Sequence, residues 1–394
     1  MSELSNDTML LETPFHSRIK ELCGLNDWGN WSGYTTPNAY FDVELEYFAL
    51  RSTTGVFDLS PMNKYRITGP DVEPYLNRLV TRDVSKIGIN RVGYAIWCDD
   101  AGQLLDDGTL FRLSKNDYRL CAYRRATDWL QWCALGFDVN IVDETDEIAG
   151  LAVQGPTSCS TLTAMGLTDL EHLKPFGMKN YDFEGESLMV SRTGFTGDLG
   201  YEVWIAPEKA ELLWDRLFAA GKQFLIKPIG SYALDIARIE TGFLQAGVDF
   251  VSAEEVIRPG RSRSPFELGL AWLVDFNKPL FNGRKALLAE RENGSRYRFA
   301  LLDIDGNKPA DHSFILKGGK QVGTVTSAVW CPTAKSNLAF AQFEMPHGAV
   351  GEKFVAEIYY QRELHWTRLL APCTVIDRPV FNPARRRKTP AIAF

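Results

Sequence analysis

The residues best suited to chemistry in this 394-residue sequence are acidic side chains beside glycine-rich turns. Gly194, Gly197 and Gly200 recur every three residues, and Glu202 follows them in a strand-like alternation. Glycine lets the backbone adopt positive φ and approach a ligand closely. A carboxylate in an apolar strand is costly to bury without a donor to pair with it. The segment therefore predicts either a plain hairpin or a backbone-lined pocket with one acidic anchor.

Two further segments place charged side chains in regular patterns. Asp106 and Asp107 follow an apolar pair in a strand pattern. Because neighbouring strand residues point to opposite faces, only one of the two faces a given pocket. Asp235 and Arg238 are three residues apart in a helical pattern, which puts them on one helical face. Taken alone, each pattern is also typical of a solvated turn or a surface ion pair.

Composition narrows the class of protein. Hydrophobic residues make up 45% and charged residues 24% of the sequence, as in an ordinary soluble globular protein. The length predicts two or three domains. A net charge of −7 argues against a nucleic-acid partner, whose binding surface would be basic. The one concentrated basic run, residues 385–388, is more typical of a solvated tail.

The cysteines and histidines predict no metal site. Seven cysteines are scattered without a C-x-x-C motif, and the five histidines show no ligand spacing. Reduced thiols favour a reducing compartment. Residues 1–7 are acidic without an apolar leader, and no apolar run is long enough to span a membrane. We therefore expect a cytoplasmic protein that does not bind membranes.

The order of strand and helix patterns predicts an α+β fold whose strands come in hairpins. Strand patterns at 92–97 and 104–111 are joined by a turn, and a similar order returns after residue 148. From about residue 297, nearly pure strand alternation predicts a separate β barrel or sandwich. Helical patterns are expected at 44–50, 71–80 with Asp71 as the cap, 124–135, 160–167 and 208–221.

In their order along the chain, these motifs resemble the aminomethyltransferase family, the T-protein of glycine cleavage and its folate-dependent relatives. The resemblance runs from about residue 13 to residue 380. The matching segments are Gly55-Val-Phe-Asp-Leu-Ser60, Thr81-Arg-Asp-Val84, Ala101-Gly-Gln-Leu-Leu-Asp-Asp107, Gln154-Gly-Pro156, Arg192-Thr-Gly-Phe-Thr-Gly197 with Gly200-Tyr-Glu202, Arg238-Ile-Glu240, Phe281-Asn-Gly-Arg-Lys-Ala286 and Gly323-Thr-Val-Thr-Ser327.

The resemblance implies an architecture and a cofactor. Members of this family form a three-domain cloverleaf around a central opening that holds tetrahydrofolate. We therefore expect a first folate-binding α+β domain over 1–147 and a second over 148–296. A C-terminal β-barrel domain is expected over 297–394.

The resemblance also implies roles for individual residues. Asp106 matches the catalytic aspartate of the family, and Glu202 matches the carboxylate that binds the pterin's amino and ring N–H groups. An ionised carboxylate suits such a row of donors because it accepts two hydrogen bonds side by side. The other residues implied to bind the cofactor are Tyr94 or Phe195 stacked on the pterin, Arg238 lining the site, and one of residues 385–387, taken as Arg385, at the carboxylate tail.

Two departures from the T-protein pattern bear on the reaction. Pro61 stands where glycine-cleavage T-proteins have histidine in Ser-His-Met, and Arg82 stands where they have asparagine in Thr-Asn-Asp. Some folate-dependent demethylases share the second change. We therefore expect a demethylase that takes a methyl group from a small donor and yields 5-methyltetrahydrofolate. A methylated amine, a sulfonium compound and an aryl methyl ether all fit as donors.

Two alternative functions stay open. The first is an aminomethyltransferase that takes its one-carbon unit from a lipoyl carrier protein and releases ammonia. The second is a folate-binding protein of iron–sulfur assembly, although the Lys-Gly-Cys-Tyr motif of those relatives is absent. Trp28, Trp31 and Tyr34 lie where the family builds its substrate end. Their rings either attract a methylated onium group or only pack the N-terminal segment.

Overall fold

A computed structural model of the chain describes residues 10–258 and 260–391. The acidic start predicted for residues 1–7 lies outside the described residues. Within them, no helix is long and apolar enough to cross a membrane. The same residues contain eight α-helices: α1 His16–Leu22, α2 Val43–Ser52, α3 Val72–Leu79, α4 Thr127–Cys133, α5 Ser158–Ala164, α6 Ala210–Gly221, α7 Ser231–Thr241 and α8 Arg284–Asn293.

The strands of the described residues form three open sheets and one barrel. Their bounds are β1 Asp27–Trp31, β2 Tyr34–Ala39, β3 Gly55–Asp58, β4 Asn63–Thr68, β5 Arg91–Cys98, β6 Leu104–Ser114, β7 Asp117–Ala122, β8 Asn140–Asp143, β9 Ala149–Gln154, β10 Met178–Phe183, β11 Glu186–Ser191, β12 Gly200–Ile205, β13 Lys227–Pro228, β14 Tyr297–Ile304, β15 Phe314–Lys317, β16 Lys320–Cys331, β17 Ser336–Glu344, β18 Lys353–Arg362 and β19 His365–Ile376.

The chain divides into two compact units. The first comprises the described parts of Met1–Tyr65, Asp143–Leu234 and Pro383–Phe394. Its main sheet has the order β10-β11-β12-β9-β3-β13, and β1 pairs with β2 in a separate hairpin. Every residue of β9 and β12 is buried. These two central strands form the core with α5 and α6, which is why their sequences read as nearly continuous apolar runs.

The second unit comprises Arg66–Val142 and Asp235–Asn382. It includes most of a sheet with the order β5-β6-β7-β4-β8 and a closed barrel with the order β14-β17-β16-β15-β18-β19. Alternate residues of the barrel strands, such as Leu302 and Ile304, fill its interior. The prediction of an α+β fold with a C-terminal barrel is confirmed. The domain limits at 147 and 296 stay a prediction.

A tight turn joins β5 to β6 and sets the register of the residues that follow. Gly102 adopts a φ of +74°, and the Asp99 carboxylate accepts the Gln103 N–H at 2.8 Å. In the resulting ladder Asp106 lies opposite Trp97, and Asp107 lies opposite Ile96. Residues directly opposite each other share a face of the sheet. The two aspartates are therefore on opposite faces, as the alternation predicts.

The sequence predicted the helices more reliably than their ends. All four apolar positions of α3 are buried, as its spacing predicts. Asp71 does not cap α3 with its side chain, because its carboxylate accepts the Asp138 N–H at 2.9 Å instead. The helix predicted for 124–135 begins only at Thr127. The backbone N–H of Arg124 is used by Asp106, at 3.0 Å, and not by a helical turn.

Candidate active site

Asp106 is held inside the second unit by two backbone donors. It is 1% exposed. One carboxylate oxygen accepts the Asp107 N–H at 2.9 Å, and the other accepts the Arg124 N–H at 3.0 Å. Burial and the neighbouring charge of Asp107 raise the pKa of Asp106 well above its usual value, although the two N–H donors oppose that shift. Each oxygen thus has one backbone N–H donor, which fixes the position of the carboxylate.

Asp107 lies in a more accessible position. It is half-buried, and the Tyr94 hydroxyl donates to its Oδ2 at 2.7 Å. In the part of the chain that the structure describes, no lysine or arginine pairs with this carboxylate. Burial raises the pKa of Asp107 to about 6, and the hydrogen bond from Tyr94 partly offsets that shift. A carboxyl group with such a pKa can take and release a proton near neutral pH.

Tyr94 connects Asp107 to the surface of the second unit. Burial and the charge of Asp107 raise the pKa of Tyr94 well above 10, so its hydroxyl stays a donor. Its backbone carbonyl accepts an N–H from Arg82 at 2.6 Å. The Trp272 ring lies beside it, with centroids 6.1 Å apart and planes tilted by 36°. Trp272 is 68% exposed, which is high for so large an apolar ring.

Glu202 is the second carboxylate singled out by the sequence, and it lies in the first unit. Thr193 donates its hydroxyl to Oε2 of Glu202 at 2.6 Å, and the Ser191 hydroxyl lies 2.7 Å from that of Thr193. Ser191 is directly opposite Glu202 in the pairing of β11 with β12. Within residues 10–258 and 260–391, no cation pairs with Glu202. Burial raises the pKa of Glu202 to about 7, although 9% of the residue stays exposed.

The glycine-rich loop between β11 and β12 packs around one buried side chain. The Gln154 amide donates to the carbonyls of Thr193 and Tyr201, each at 3.1 Å. An added Cβ at Gly194 or Gly200 would lie 2.0 Å or 2.3 Å from Gln154. The close approach predicted for these glycines is therefore made to the protein's own glutamine. Among the three glycines of the repeat, only Gly197 takes a positive φ, of +73°.

Two other predicted residues lie in this loop or contact it. Phe195 is half-buried. Arg385 donates to both oxygens of Asp198, at 2.6 and 2.7 Å, in a bidentate ion pair. The side chain of Asp198 is fully buried. The structure thus joins the C-terminal basic run to this loop, so the run is not the solvated tail that its composition suggested.

Arg238 lies in the second unit, where it is fully buried in a network of ion pairs and hydrogen bonds. It donates to Asp235 at 2.6 Å, as its spacing on α7 predicts. It also donates to Asp249 at 2.5 Å and to the Ser327 hydroxyl in β16 at 2.9 Å. Asp235 retains 35% exposure of its side chain. Of these two residues, Asp235 is therefore the one that solvent reaches.

Sequence patterns did not identify several polar and aromatic residues that surround Asp107 and Glu202. The sequence marks Asp107 only as the neighbour of Asp106, because its hydrogen bond with Tyr94 depends on strand register. The serine and threonine of Ser191-Arg-Thr193 stand two apart before the glycines, a spacing that would have signalled hydroxyls on one face. Trp272 carried no such signal, because one aromatic residue in a loop does not indicate what it lies against.

Comparison with known families gives two matches that together cover most of the chain. Residues 21–278 match the GCVT N-terminal domain. Residues 298–381 match the glycine cleavage T-protein C-terminal barrel domain. Among solved structures, the glycine cleavage system aminomethyltransferase T of Bartonella henselae superposes with a TM-score of 0.82, covering 95% of this chain and 98% of that one. At 23% identity, this likeness speaks for the fold alone.

Two curated relatives show how names within the family differ. An aminomethyltransferase of Desulfitobacterium hafniense is 31% identical to the chain, over 88% of this chain and 93% of its own length. A trimethylamine-oxide aldolase of Ruegeria pomeroyi is 33% identical over 96% of this chain. The chain spans about half of that second relative, 48% of its length.

Proposed function

The chain belongs to the glycine cleavage T-protein family, and on this premise we propose that it is a tetrahydrofolate-dependent demethylase. In this proposal it moves a one-carbon group from a small methylated donor to N5 of tetrahydrofolate. The observation that carries the proposal is the accessible carboxylate of Asp107, hydrogen-bonded to Tyr94. It is a proton acceptor poised near neutral pH in a chain of this family.

The surroundings of Glu202 fit a folate pterin. A pterin presents a row of N–H donors along one edge, and an ionised carboxylate accepts such a row. Glu202 has hydroxyl partners and no paired cation in the described residues, so it retains capacity to accept further hydrogen bonds. We assign the binding of this edge to Glu202. Phe195, half-buried in the adjoining loop, is proposed to offer a ring face to the cofactor.

We propose that a carboxylate of β6 accepts the proton that the acceptor amine loses. Tetrahydrofolate, when bound, supplies N5 as the nitrogen that accepts the one-carbon group. As the methyl group would pass to N5, its bond to the donor's heteroatom would break, the demethylated donor would leave, and the N5 proton would be lost. Asp107 is the less buried member of the pair and is proposed to take that proton. Asp106, the family's catalytic aspartate by motif, stays a candidate for this role. Its two N–H bonds instead favour a part in fixing the position of Asp107.

The remaining predicted residues are proposed to support the site. The buried Arg238 is proposed to act through Asp235, whose carboxylate it orients. Arg385 is proposed to meet the carboxylate tail of the folate, although its bidentate pair with Asp198 already occupies two of its nitrogens. Tyr94 is proposed to position Asp107 through its hydroxyl and to offer its ring to the pterin.

The proposal of a methylated donor has support from sequence and structure. A relative matching 96% of this chain is named for trimethylamine oxide, an N-methylated compound. The departure at Arg82 also reaches the site, since its guanidinium donates to the Tyr94 carbonyl at 2.6 Å. An asparagine at this position is too short to cover the same span. Arg82 therefore makes a contact with the strand of Tyr94 that we do not expect in T-proteins with asparagine at this position.

An aminomethyltransferase that works with a lipoyl carrier protein is the second candidate. Its support is the name of relatives such as the Desulfitobacterium hafniense protein, which match almost their whole length. The two candidates differ in whether a carrier protein delivers the one-carbon unit. For either one we propose a reducing, cytoplasmic setting, in keeping with seven cysteines that are all free thiols.

An assay of the full chain with and without a carrier separates the two candidates. The purified protein is incubated with tetrahydrofolate and a panel of free methylated amines, sulfonium compounds and aryl methyl ethers. A parallel reaction contains aminomethylated lipoyl carrier protein. We expect 5-methyltetrahydrofolate from a free donor with no carrier present. Ammonia and methylene-tetrahydrofolate from the carrier reaction alone would overturn the proposal in favour of the second candidate.

A further inference from the structure

In the second unit, Tyr94 contacts both a carboxylate without a paired lysine or arginine and a second aromatic ring. The side chain of Asp107 has the Tyr94 hydroxyl as its partner, and no lysine or arginine of the described residues pairs with it. The Tyr94 ring lies 6.1 Å, centroid to centroid, from that of Trp272. A half-buried anion without a counter-ion is costly, and a cation of the right size would lower that cost.

The exposure of Trp272 is enforced by its backbone. It lies in a short 3-10 turn, Ala271–Leu273. The carbonyl of Leu273 accepts the Thr81 hydroxyl at 2.9 Å, and the Asp275 N–H donates to the Thr81 carbonyl at 3.1 Å. The end of the turn is thus tied to Thr81 at Leu273 and again at Asp275. The ring is held beside Tyr94 while 68% of the residue remains exposed.

We propose that Trp272, Tyr94 and Asp107 bind the positively charged head of the methyl donor, and that this donor is a methylated onium cation. The inference rests on the proposed function and names its substrate class. Indole is the aromatic ring that attracts cations most strongly, and a methylated onium group combines an apolar surface with a positive charge. An aryl methyl ether has no charge for Asp107 to pair with.

The site meets the two demands that such a cation makes. A quaternary ammonium or sulfonium head has no N–H to donate, so it is bound by ring faces and by charge and not by a row of acceptors. Asp107 also places the positive centre beside the carboxylate to which we assign the N5 proton. Substrate recognition and proton acceptance would thus use one side chain.

Binding of choline and of its uncharged isostere, 3,3-dimethylbutan-1-ol, tests the proposal on the full chain. The two compounds have the same shape and differ by the charge, and calorimetry is done without tetrahydrofolate. Variants are Trp272→Ala, Trp272→Phe and Asp107→Asn. Trp132→Ala is the control, because Trp132 is 70% exposed and belongs to α4. A further titration with trimethylsulfonium distinguishes a sulfonium from an ammonium preference.

We expect saturable choline binding by the wild type and no measurable binding of the alcohol. Trp272→Ala should weaken choline binding about tenfold, with Trp272→Phe between the two. Asp107→Asn should weaken it at least as much, and Trp132→Ala should bind as the wild type does. Equal binding of choline and the alcohol, or unchanged choline binding by a folded Trp272→Ala variant, would overturn the proposal.

This outcome is separable from that of the proposed function. Carrier-free methyl transfer from an uncharged ether, unaffected by Trp272→Ala, would leave the demethylase standing and remove the onium site. Choline binding that depends on Trp272, in a protein that yields no folate product, would leave the cation site standing and remove the demethylase.

Discussion

Two adjacent aspartates of β6 differ in burial and in hydrogen-bond partners. Asp106 gives both its oxygens to backbone N–H groups and is almost fully buried. Asp107 keeps an oxygen that is not committed to the backbone and contacts Tyr94. The sequence predicted that the two face opposite sides, because strand side chains alternate. It could not say which of the two is accessible, since that depends on what covers each face of the sheet.

Exchange of each aspartate for asparagine should separate their roles. Asp107→Asn is expected to lower kcat about 100-fold or more, since a proton acceptor is lost. Asp106→Asn should chiefly lower the free energy of unfolding by about 1–3 kcal/mol, because its new NH₂ group faces a backbone N–H donor. Steady-state kinetics and urea denaturation of both variants check this. A stable Asp106→Asn protein without activity, beside an active Asp107→Asn protein, would return the catalytic role to Asp106.

The buried carboxylate of Glu202 should make stability depend on pH. Folding raises its pKa from 4.5 to about 7, so the folded chain binds more protons than the unfolded chain between these values. The free energy of unfolding should therefore fall as pH rises through this window, by about 3 kcal/mol at most. Glu202→Gln should lose this contribution, while the raised pKa of Asp107 still makes stability fall with pH below about pH 6.

Denaturation of wild type and variants from pH 4.5 to pH 8 measures the effect. Glu208→Gln serves as the control, since Glu208 is an exposed glutamate of the same unit. It should keep the wild-type pH dependence. Parallel curves for wild type and Glu202→Gln across the whole range would show that folding does not raise the pKa of Glu202.

The loop between β11 and β12 shows what a motif does and does not reveal about an element. The repeat of glycines predicted a place where backbone approaches another group closely, and the structure has such a place at Gln154. The sequence could not name this partner, because Gln154 ends a strand some forty residues earlier in the chain. The pairing of β11 with β12 also places Ser191 opposite Glu202, and Thr193 then donates its hydroxyl to that glutamate.

An added methyl group at Gly200 tests whether this packing holds the loop. Gly200→Ala places a Cβ 2.3 Å from the Gln154 side chain, so we expect a loss of about 1–3 kcal/mol in the free energy of unfolding. Gly24→Ala is the matched control, because Gly24 is exposed in the same unit and its Cβ would meet nothing closer than 3.5 Å. The control should stay within about 0.5 kcal/mol of the wild type. Equal stabilities of the two variants would contradict the role assigned to Gln154.

The helices illustrate why element limits are harder to predict than their presence. The apolar spacing of α3 specified a buried face correctly. Asp71 is at the predicted N-cap position, but its carboxylate bonds a residue 67 positions away and not the helix. α4 begins at Thr127, three residues after the predicted start, and the N–H of Arg124 before it donates to Asp106. Local signals do not reveal contacts made by residues far along the chain.

At the scale of the whole molecule, the sequence predicted classes of structure and not their assembly. The change to strand alternation near residue 297 predicted the barrel, and β14 begins at Tyr297. The strand order inside the barrel, with β14 between β17 and β19, could not be inferred from alternation. The two compact units are also assembled from separate stretches of chain, and the first includes the C-terminal residues. Both the strand order and the assembly of each unit depend on contacts between residues far apart in the sequence.

The order of motifs along the chain carried the functional interpretation. Each motif alone had an ordinary structural explanation, and several of those explanations also hold. Arg238 forms ion pairs, and the glycines pack against a glutamine. Family membership came from their combination over most of the chain. The donor did not follow from it, because two of the three residues proposed to contact the donor, Tyr94 and Trp272, lie outside the shared motifs.

A calorimetric titration of the purified chain with tetrahydrofolate tests the central claim most directly. We expect saturable binding by the wild type, about tenfold weaker binding by Glu202→Gln because a charge-assisted hydrogen bond is lost, and near-normal binding by Asp107→Asn. No heat of binding from the wild type would contradict the account. So would an affinity that is the same with glutamate or glutamine at position 202.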